Sequence, residues 1–254
     1  VADALLAVGT GITHLGEPDP RKEFPGANRN HPLLAAFIKG LKDHEDPSKR
    51  SYPANVPIVR HMWDLLNHNH PTAGNLNRHV CNLSITAFYW LLRPAEYTPS
   101  TSEGRSQAFR FCDAIFTIGN VVRCATDPSL NDVHESSVTS AALTFTDQKN
   151  GVRGEQVAQR ANSDPIMCPA KALFRLTQHL RDHNAPATTP LYTYYDNTTN
   201  RPRQITASFI TNGLRHSAKD LQQVSGIDWK LLSARSLRPG GATALMCANI
   251  DPTW

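Results

Sequence analysis

The sequence predicts a mainly α-helical fold that also contains a small antiparallel β-sheet, the α+β class. Two observations indicate this. Proline stands in the first turn of several amphipathic segments, as is typical of helix starts. One stretch, residues 109–157, is instead rich in β-branched and aromatic residues, and it contains Asn150-Gly151, the strongest short hairpin signal. We therefore expect helices on both sides of a short run of strands.

The first fifty residues predict a separate helical unit. Pro32 opens a helix there. The apolar stripe of this helix consists of Leu34, Phe37, Ile38 and Leu41. The charged stretch 42–50, with Pro47 inside it and Pro53 just after it, is typical of a linker. We therefore divide the chain into residues 1–50 and residues 51–254.

Two more helices are expected next. Val56-Pro57 starts one that runs through Leu65, and residues 81–92 are nearly all apolar, which predicts a helix buried on every side. Pro94 should end or kink that helix, because proline lacks an N–H and restricts the residue before it. Arg93 then either enters a cleft from a buried helix or simply leaves the core at a helix end.

Strands are predicted at residues 109–122, 138–145 and 152–157. The last two flank Asn150-Gly151, so Lys149 lies at or beside a hairpin tip and has a long reach. A merely solvated lysine is the alternative at such a position.

Helices return afterwards. Pro169 opens one with an apolar face at Leu173, Leu176 and Leu180, and Thr206 caps another, with residues 191–196 as an extended connection between them. Arg238 then precedes a helix start built from Gly240-Gly241 and small residues. Small residues permit close backbone approach, and free N–H groups at a helix start attract anions. We therefore expect this segment to bind phosphate.

Composition sets few further limits. The net charge is +4, the apolar fraction is 40%, and the five cysteines are an odd number with no Cys-x-x-Cys pair, which favours a reducing compartment. No apolar run is long enough for a membrane span. His179 and His183 are four residues apart, a spacing that can hold a metal ion. The stretch from His61 to His79 also contains several imidazoles. Neither cluster has a cysteine or acidic partner at helical spacing. Polar surface is the preferred interpretation, and no metal or cofactor is expected.

Four basic residues could surround one phosphodiester: Arg93, Lys149, Arg235 and Arg238. A guanidinium matches two phosphate oxygens and stays charged at any working pH. Such donors stabilise the extra negative charge of a phosphoryl-transfer transition state. The sequence has no carboxylate cluster that demands a divalent ion, so a metal-free reaction is the consistent one.

Several segments resemble the catalytic domain of the tyrosine recombinase (phage integrase) family, of the kind carried by eukaryotic mobile elements such as DIRS and Crypton elements. Leu-Leu-Arg-Pro-Ala-Glu at 91–96 is similar to the first arginine box. Thr-Asp-Gln-Lys-Asn-Gly at 146–151 is similar to the β-hairpin lysine, and Cys-Pro-Ala-Lys-Ala-Leu at 168–173 to the helix after it. Arg-Ser-Leu-Arg-Pro-Gly-Gly-Ala-Thr at 235–243 resembles the second box. The resemblance covers residues 56–254.

The resemblance implies DNA recombination and integration, with cleavage and rejoining through a 3′-phosphotyrosyl intermediate. It implies that Arg93 and Arg238 clamp the non-bridging oxygens and that Lys149 protonates the leaving 5′-oxygen. It also implies a core like that of recombinases and type IB topoisomerases, duplex DNA as partner, and self-association on DNA as a synaptic tetramer. The location would be the nucleus of a eukaryotic host, or otherwise the cytoplasm and nucleoid. Residues 1–50 would end a helical DNA-clamp domain.

Two departures from the family pattern matter. Arg235 stands where the family prefers histidine, and an arginine cannot act as a base at neutral pH. None of the six tyrosines occupies the nucleophile's place. They are Tyr52, Tyr89, Tyr97, Tyr192, Tyr194 and Tyr195. Asp251-Pro252 predicts a further helix just before the last residue, so we expect a catalytic domain truncated before its nucleophile.

Three alternatives stay open. The chain could be a DNA-binding relative without catalysis, or a topoisomerase of type IB, which shares the chemistry. It could also be a helical protein-interaction domain in which the boxes are coincidental. That last alternative predicts that Arg93, Lys149 and Arg238 lie far apart in the fold.

Overall fold

The structure is a computed structural model, and it describes residues 51–68, 74–100, 107–146 and 154–248, with short pieces at 12–14, 16–19, 21–22 and 31–34. The chain divides into two compact units, Val1–Arg50 and Ser51–Trp254. In the first unit, residues 12–14 and 32–34 are helical, and Arg21 forms an ion pair with Asp19 at 2.7 Å.

Seven α-helices are found in the described part of the second unit. Their bounds are α1 Val56–His68, α2 Gly74–Tyr89, α3 Pro94–Tyr97, α4 Pro169–Asp182, α5 Ala207–Asp220, α6 Gln222–Ser225 and α7 Leu237–Cys247. Proline occupies the first or second position of α1 and α4, which confirms these two predicted helix starts. Pro94 begins α3, a short helix that was not predicted. The side chain of Asn55 caps α1, because its Oδ1 accepts from the N–H of Ile58 at 3.0 Å.

The strands form one antiparallel sheet of four and a separate two-stranded ribbon. The sheet has the order β2-β1-β3-β4. Its strands are β1 Ala114–Ile118, β2 Val121–Cys124, β3 Val138–Phe145 and β4 Glu155–Arg160. The ribbon pairs β5 Thr193–Tyr195 with β6 Pro202–Gln204. The antiparallel sheet confirms the α+β class.

One predicted strand is in fact two. The stretch 109–122 begins with a 3₁₀ turn, Phe111–Asp113, and then contains β1 and the start of β2. The turn between them, Gly119-Asn120, was not predicted. Gly119 has a positive φ of +58°, the backbone conformation that a tight turn requires. The β6 strand was also missed, since three exposed residues carry no alternation to detect.

The core lies around α2. Residues 81–88 are all buried, because α2 contacts α1, α4, α5 and α7. The sheet packs on the other side of α4, where the rings of Phe116 and Phe174 meet edge to face at 5.2 Å. A helix with neighbours all round must be apolar all round, which confirms the prediction of a buried helix here.

The chain leaves α2 earlier than predicted. The helix ends at Tyr89, and Leu91 adopts a positive φ of 53°. The N–H of Leu92 donates to the carbonyl of Ala87 at 2.9 Å, which closes the helix end. Arg93 therefore does not end the buried helix, and instead it is the N-cap residue of α3.

The two glycines of α7 lie against backbone. A Cβ on Gly240 would overlap the carbonyl oxygen of Ala54, and one on Gly241 would overlap that of Phe88 in α2. These glycines therefore bring α7 against its protein neighbours. The close backbone approach that the small residues predict is therefore present, and it is made to the protein's own backbone at Ala54 and Phe88.

Some predictions fall outside the described residues. These are most of the helix after Pro32, the hairpin tip with Lys149 and Asn150-Gly151, and the helix signals at Asn249 and Asp251-Pro252. Within the described ranges, no helix combines the length and apolar composition that crossing a bilayer requires.

We predict that Gly240→Ala and Gly241→Ala each lower the free energy of unfolding by about 3 kcal/mol, because the added methyl group collides with rigid backbone. Urea denaturation of each variant measures this. The matched control is Gly213→Ala in α5, whose Cβ would meet flexible side chains, those of Met62, with Sδ at 2.8 Å, and Leu66, with Cδ1 at 3.6 Å. The interpretation is wrong if all three variants unfold alike.

Candidate functional site

Arg93 is held by a carboxylate from its own short helix. Glu96 accepts from the backbone N–H of Arg93 at 2.7 Å and from its guanidinium Nη1 at 3.1 Å. The Glu96 side chain is 5% exposed, whereas that of Arg93 is 31% exposed. Charge-assisted hydrogen bonds of this kind fix geometry, so Glu96 holds the partly exposed guanidinium of Arg93 in a defined position.

Arg238 reaches the same place from α7. It is half-buried, and no described residue offers its guanidinium a hydrogen bond or an ion pair. Burial, and after it the charge of Arg93, lowers the pKa of Arg238, while Glu96 partly offsets both effects. The protein-interaction alternative predicts that Arg93 and Arg238 lie far apart, but they lie close enough to repel each other.

Contacts between distant segments bring the two arginines together. The hydroxyl of Tyr97, at the end of α3, donates to the carbonyl of Ala234 at 2.6 Å. The N–H of Ala54 donates to the carbonyl of Ser236 at 3.0 Å. Each such buried bond contributes about 1 kcal/mol, so the segment before α7 is tied to both α3 and the start of α1.

Arg235 lies in the 3₁₀ turn Ala234–Ser236, directly before α7, and its side chain is exposed. It forms no ion pair with any residue of the described ranges. The N–H of Leu237, the first residue of α7, donates to the carbonyl of Ala234 in this turn, so it is not free to bind an anion. The prediction that Arg238 precedes the helix is wrong, because α7 begins at Leu237 and contains Arg238 in its first turn.

The arrangement is suited to binding an anion. Two guanidiniums that interact electrostatically share one buried carboxylate, which pairs with Arg93, so one positive charge is left uncompensated at a partly exposed place. Both remain protonated at neutral pH, so they can donate to phosphate oxygens but cannot accept a proton. The chemistry open to Arg93 and Arg238 is therefore electrostatic stabilisation, not general base catalysis. Lys149, the third predicted donor, lies outside the described residues.

Tyr97 is the tyrosine on the same helix as Arg93. Its hydroxyl is engaged with Ala234, the residue is 1% exposed, and burial raises its pKa. An inaccessible hydroxyl that resists deprotonation cannot attack a phosphate. The hydrogen bond of Tyr97 therefore connects α3 to the turn before α7, a structural role that the sequence did not predict.

Glu96 was part of the sequence motif but had no predicted role. Its spacing three residues after Arg93 was the available signal, because an acid at that position can bond back to the N-cap N–H. The structure adds that the same carboxylate binds the guanidinium.

Three of the histidines, His79, His179 and His183, pack against one another. The rings of His79 and His179 are 4.2 Å apart, and those of His179 and His183 are 4.4 Å apart. His179 is 8% exposed and His79 is 4% exposed, so the prediction of polar surface is wrong for both. Among the described residues, no three His, Cys, Asp or Glu side chains are grouped so that they could hold a metal ion.

Comparison with models of known protein families and with curated proteins finds no match to this chain.

We predict that protonation of His179 destabilises the fold. Burial, together with the charges of His79 and His183, lowers the pKa of His179 from 6.5 to about 3. The unfolded chain therefore binds a proton below pH 6.5 that the folded chain rejects until about pH 3. This contribution is complete above pH 6.5 and is lost as the pH falls toward 3, by at most about 1.4 kcal/mol per pH unit.

Urea unfolding at several pH values between 7 and 4 tests this. In His179→Gln, the glutamine side chain can still accept a hydrogen bond from the N–H of Tyr195. The free energy of unfolding of this variant should depend less on pH than that of the parent protein. The control replaces the exposed His216 with glutamine. Parallel curves for the parent and His179→Gln would rule out the buried imidazole as a source of acid sensitivity.

Proposed function

We propose that Arg93 and Arg238 bind one phosphate group of duplex DNA, as part of a strand-cleaving and rejoining domain of the tyrosine recombinase type. The observation that supports this most is the close approach of two arginines from distant segments, one of which has no counterion among the described residues. Repulsion between them destabilises the empty site. A phosphodiester between them removes that cost and adds charge-assisted hydrogen bonds.

The proposed chemistry follows from what these side chains can do. The guanidiniums of Arg93 and Arg238 bond the two non-bridging oxygens, whose negative charge grows as a fifth ligand attacks phosphorus. Arg235, exposed on the turn before α7, adds a further phosphate contact. Lys149 protonates the leaving 5′-oxygen in this scheme. The attacking tyrosine is not Tyr97, whose hydroxyl is buried and bonded.

The proposal extends to the DNA-bound assembly. Duplex DNA is the partner, several copies assemble on it for strand exchange, and the compartment is the one that holds the DNA, the nucleus in a eukaryotic host. Contacts would be mostly to the phosphate backbone, which carries no sequence information, so the target sequence must be read by other residues.

We predict that the protein binds duplex DNA with an affinity that falls steeply with salt, and that Arg238→Glu weakens binding about tenfold or more. The slope of log K against log salt concentration should also fall by at least about one, because one or more phosphate contacts are lost. Fluorescence anisotropy with a labelled duplex at four salt concentrations measures both quantities. Arg93→Glu should act in the same direction.

The matched control is Arg201→Glu, which reverses an exposed charge in the turn between β5 and β6. Arg238 forms no bond to the described part of the protein, so its replacement should not lower the melting temperature. The phosphate assignment fails if Arg238→Glu and Arg201→Glu bind DNA equally well, or if parent binding is insensitive to salt.

A second candidate is a DNA-binding module without catalysis. The observation in its favour is Arg235, an exposed cation that cannot exchange a proton at the position where the resembling family has histidine. A nicking assay on supercoiled plasmid with the complete gene product distinguishes a recombinase from a DNA-binding module without catalysis. A covalent 3′-phosphotyrosyl adduct supports the recombinase, and tight binding without any adduct supports the module.

A further inference from the structure

The chain reaches α7 along an irregular path. Residues 230–236, which we call the lead segment, run through two 3₁₀ turns and the extended Leu232 between them. Arg235 belongs to this segment, and Arg238 follows it after one further residue. Backbone groups outside helices and sheets need hydrogen-bond partners from elsewhere where the residue is buried, as Leu232 and Ala234 are. The partners of the lead segment therefore decide where the two arginines lie.

Arg215 of α5 holds the first half of the lead segment. Its Nε donates to the carbonyl of Leu232 at 2.8 Å, and its Nη2 donates to the carbonyl of Lys230 at 3.1 Å. Two donors of one planar guanidinium thus bind two carbonyls that are two residues apart. A lysine ammonium is a compact point charge on a flexible stem and cannot reproduce this rigid fork. The contact therefore depends on the shape of the arginine side chain as well as on its charge.

Thr211 holds the second half of the lead segment. It lies four residues before Arg215, so the two side chains share one face of α5. Its Oγ1 accepts from the N–H of Ala234 at 3.0 Å. The carbonyl of Ala234 accepts from the hydroxyl of Tyr97 in α3 at 2.6 Å and from the N–H of Leu237 in α7. Ala234 is therefore bonded to α5, α3 and α7 at once.

Helix α5 is itself fixed to the core through α1. The buried hydroxyl of Ser217 donates to the carbonyl of Ile58 at 2.6 Å. Close packing adds to this bond, because a Cβ on Gly213 would lie 2.8 Å from Sδ of Met62. A helix packed into a dense core moves little as a whole. The face of α5 that carries Thr211 and Arg215 is therefore a fixed reference for the lead segment.

We propose that Thr211 and Arg215 are positioning residues for the phosphate contact of Arg238. They act by holding the lead segment against α5, and neither of them touches the DNA. This inference rests on the proposed function, since the contact that it concerns is the one between Arg238 and a phosphate group. Misplacement of a binding group by about 1 Å can lower a rate roughly a hundredfold. Loosening the lead segment therefore weakens the contact without removing any of its donors.

A matched pair of variants at Thr211 tests the role of its hydroxyl, with fluorescence anisotropy of a labelled duplex as the measurement. Thr211→Val keeps the size of the side chain but removes the acceptor for the N–H of Ala234, whereas Thr211→Ser keeps that acceptor. We expect Thr211→Val to weaken DNA binding roughly fivefold or more, and Thr211→Ser to bind like the parent protein. Rescue by serine would assign the loss to the hydrogen bond.

Variants at Arg215 separate position from charge. Arg215→Lys keeps the positive charge but loses the fork, and lysine would still serve if this residue bound phosphate directly. We expect Arg215→Lys to weaken DNA binding about as much as Arg215→Gln, roughly fivefold or more. In an Arg238→Ala background, Thr211→Val should cause no further loss, because the contact that Thr211 positions is already gone. A merely destabilising substitution would weaken binding in both backgrounds.

The matched control is Arg175→Lys in α4, since Arg175 also donates to a backbone carbonyl, that of Pro165 at 2.9 Å. It should bind DNA like the parent protein, whatever its melting temperature.

The proposal is overturned if Thr211→Val and Arg215→Lys both bind like the parent while Arg238→Glu binds weakly. It is also overturned if Thr211→Val weakens binding equally in the parent and in the Arg238→Ala background. If the parent binds no duplex DNA, or if Arg238→Glu binds like Arg201→Glu, the proposed function itself fails, and this inference fails with it.

Discussion

The close approach of α7 to the backbone of α2 and of Ala54 is the contact on which the candidate site depends. Gly240 and Gly241 allow it, since any Cβ at either position would overlap a carbonyl oxygen. Arg238 lies two residues before Gly240, so the same packing sets the depth and direction of its guanidinium. Backbone against backbone is also a rigid interface, because no side chain can rotate to absorb a shift. A small displacement of α7 would move Arg238 away from Arg93.

The second constraint is electrostatic. Two guanidiniums held together repel, and the buried carboxylate of Glu96 compensates only one of them. The site is therefore organised before any ligand arrives, and its uncompensated charge is best matched by an anion between the arginines. Preorganised charge of this kind is what stabilises a developing phosphate dianion without reorganisation during the reaction. Stability and binding are coupled here, because the packing that holds α7 in place also maintains the repulsion.

The buried helix α2 positions the candidate site. Its C-terminal end leads through Leu91 and Leu92 to Arg93. Burial of residues 81–88 fixes the position of α2, so the segment that carries Arg93 starts from a defined place.

Local chemistry in the sequence determined where many elements begin and which residues bear charge. Proline marked the starts of α1 and α4, alternation marked β3, and the spacing around Arg93 and Arg238 marked two candidate phosphate ligands. Tertiary contacts decided the rest. The proximity of Arg93 to Arg238, the tie from Tyr97 to Ala234, and the burial of His179 all join residues remote in the chain. A single sequence records local preference, whereas these features depend on which surfaces meet once the chain has folded.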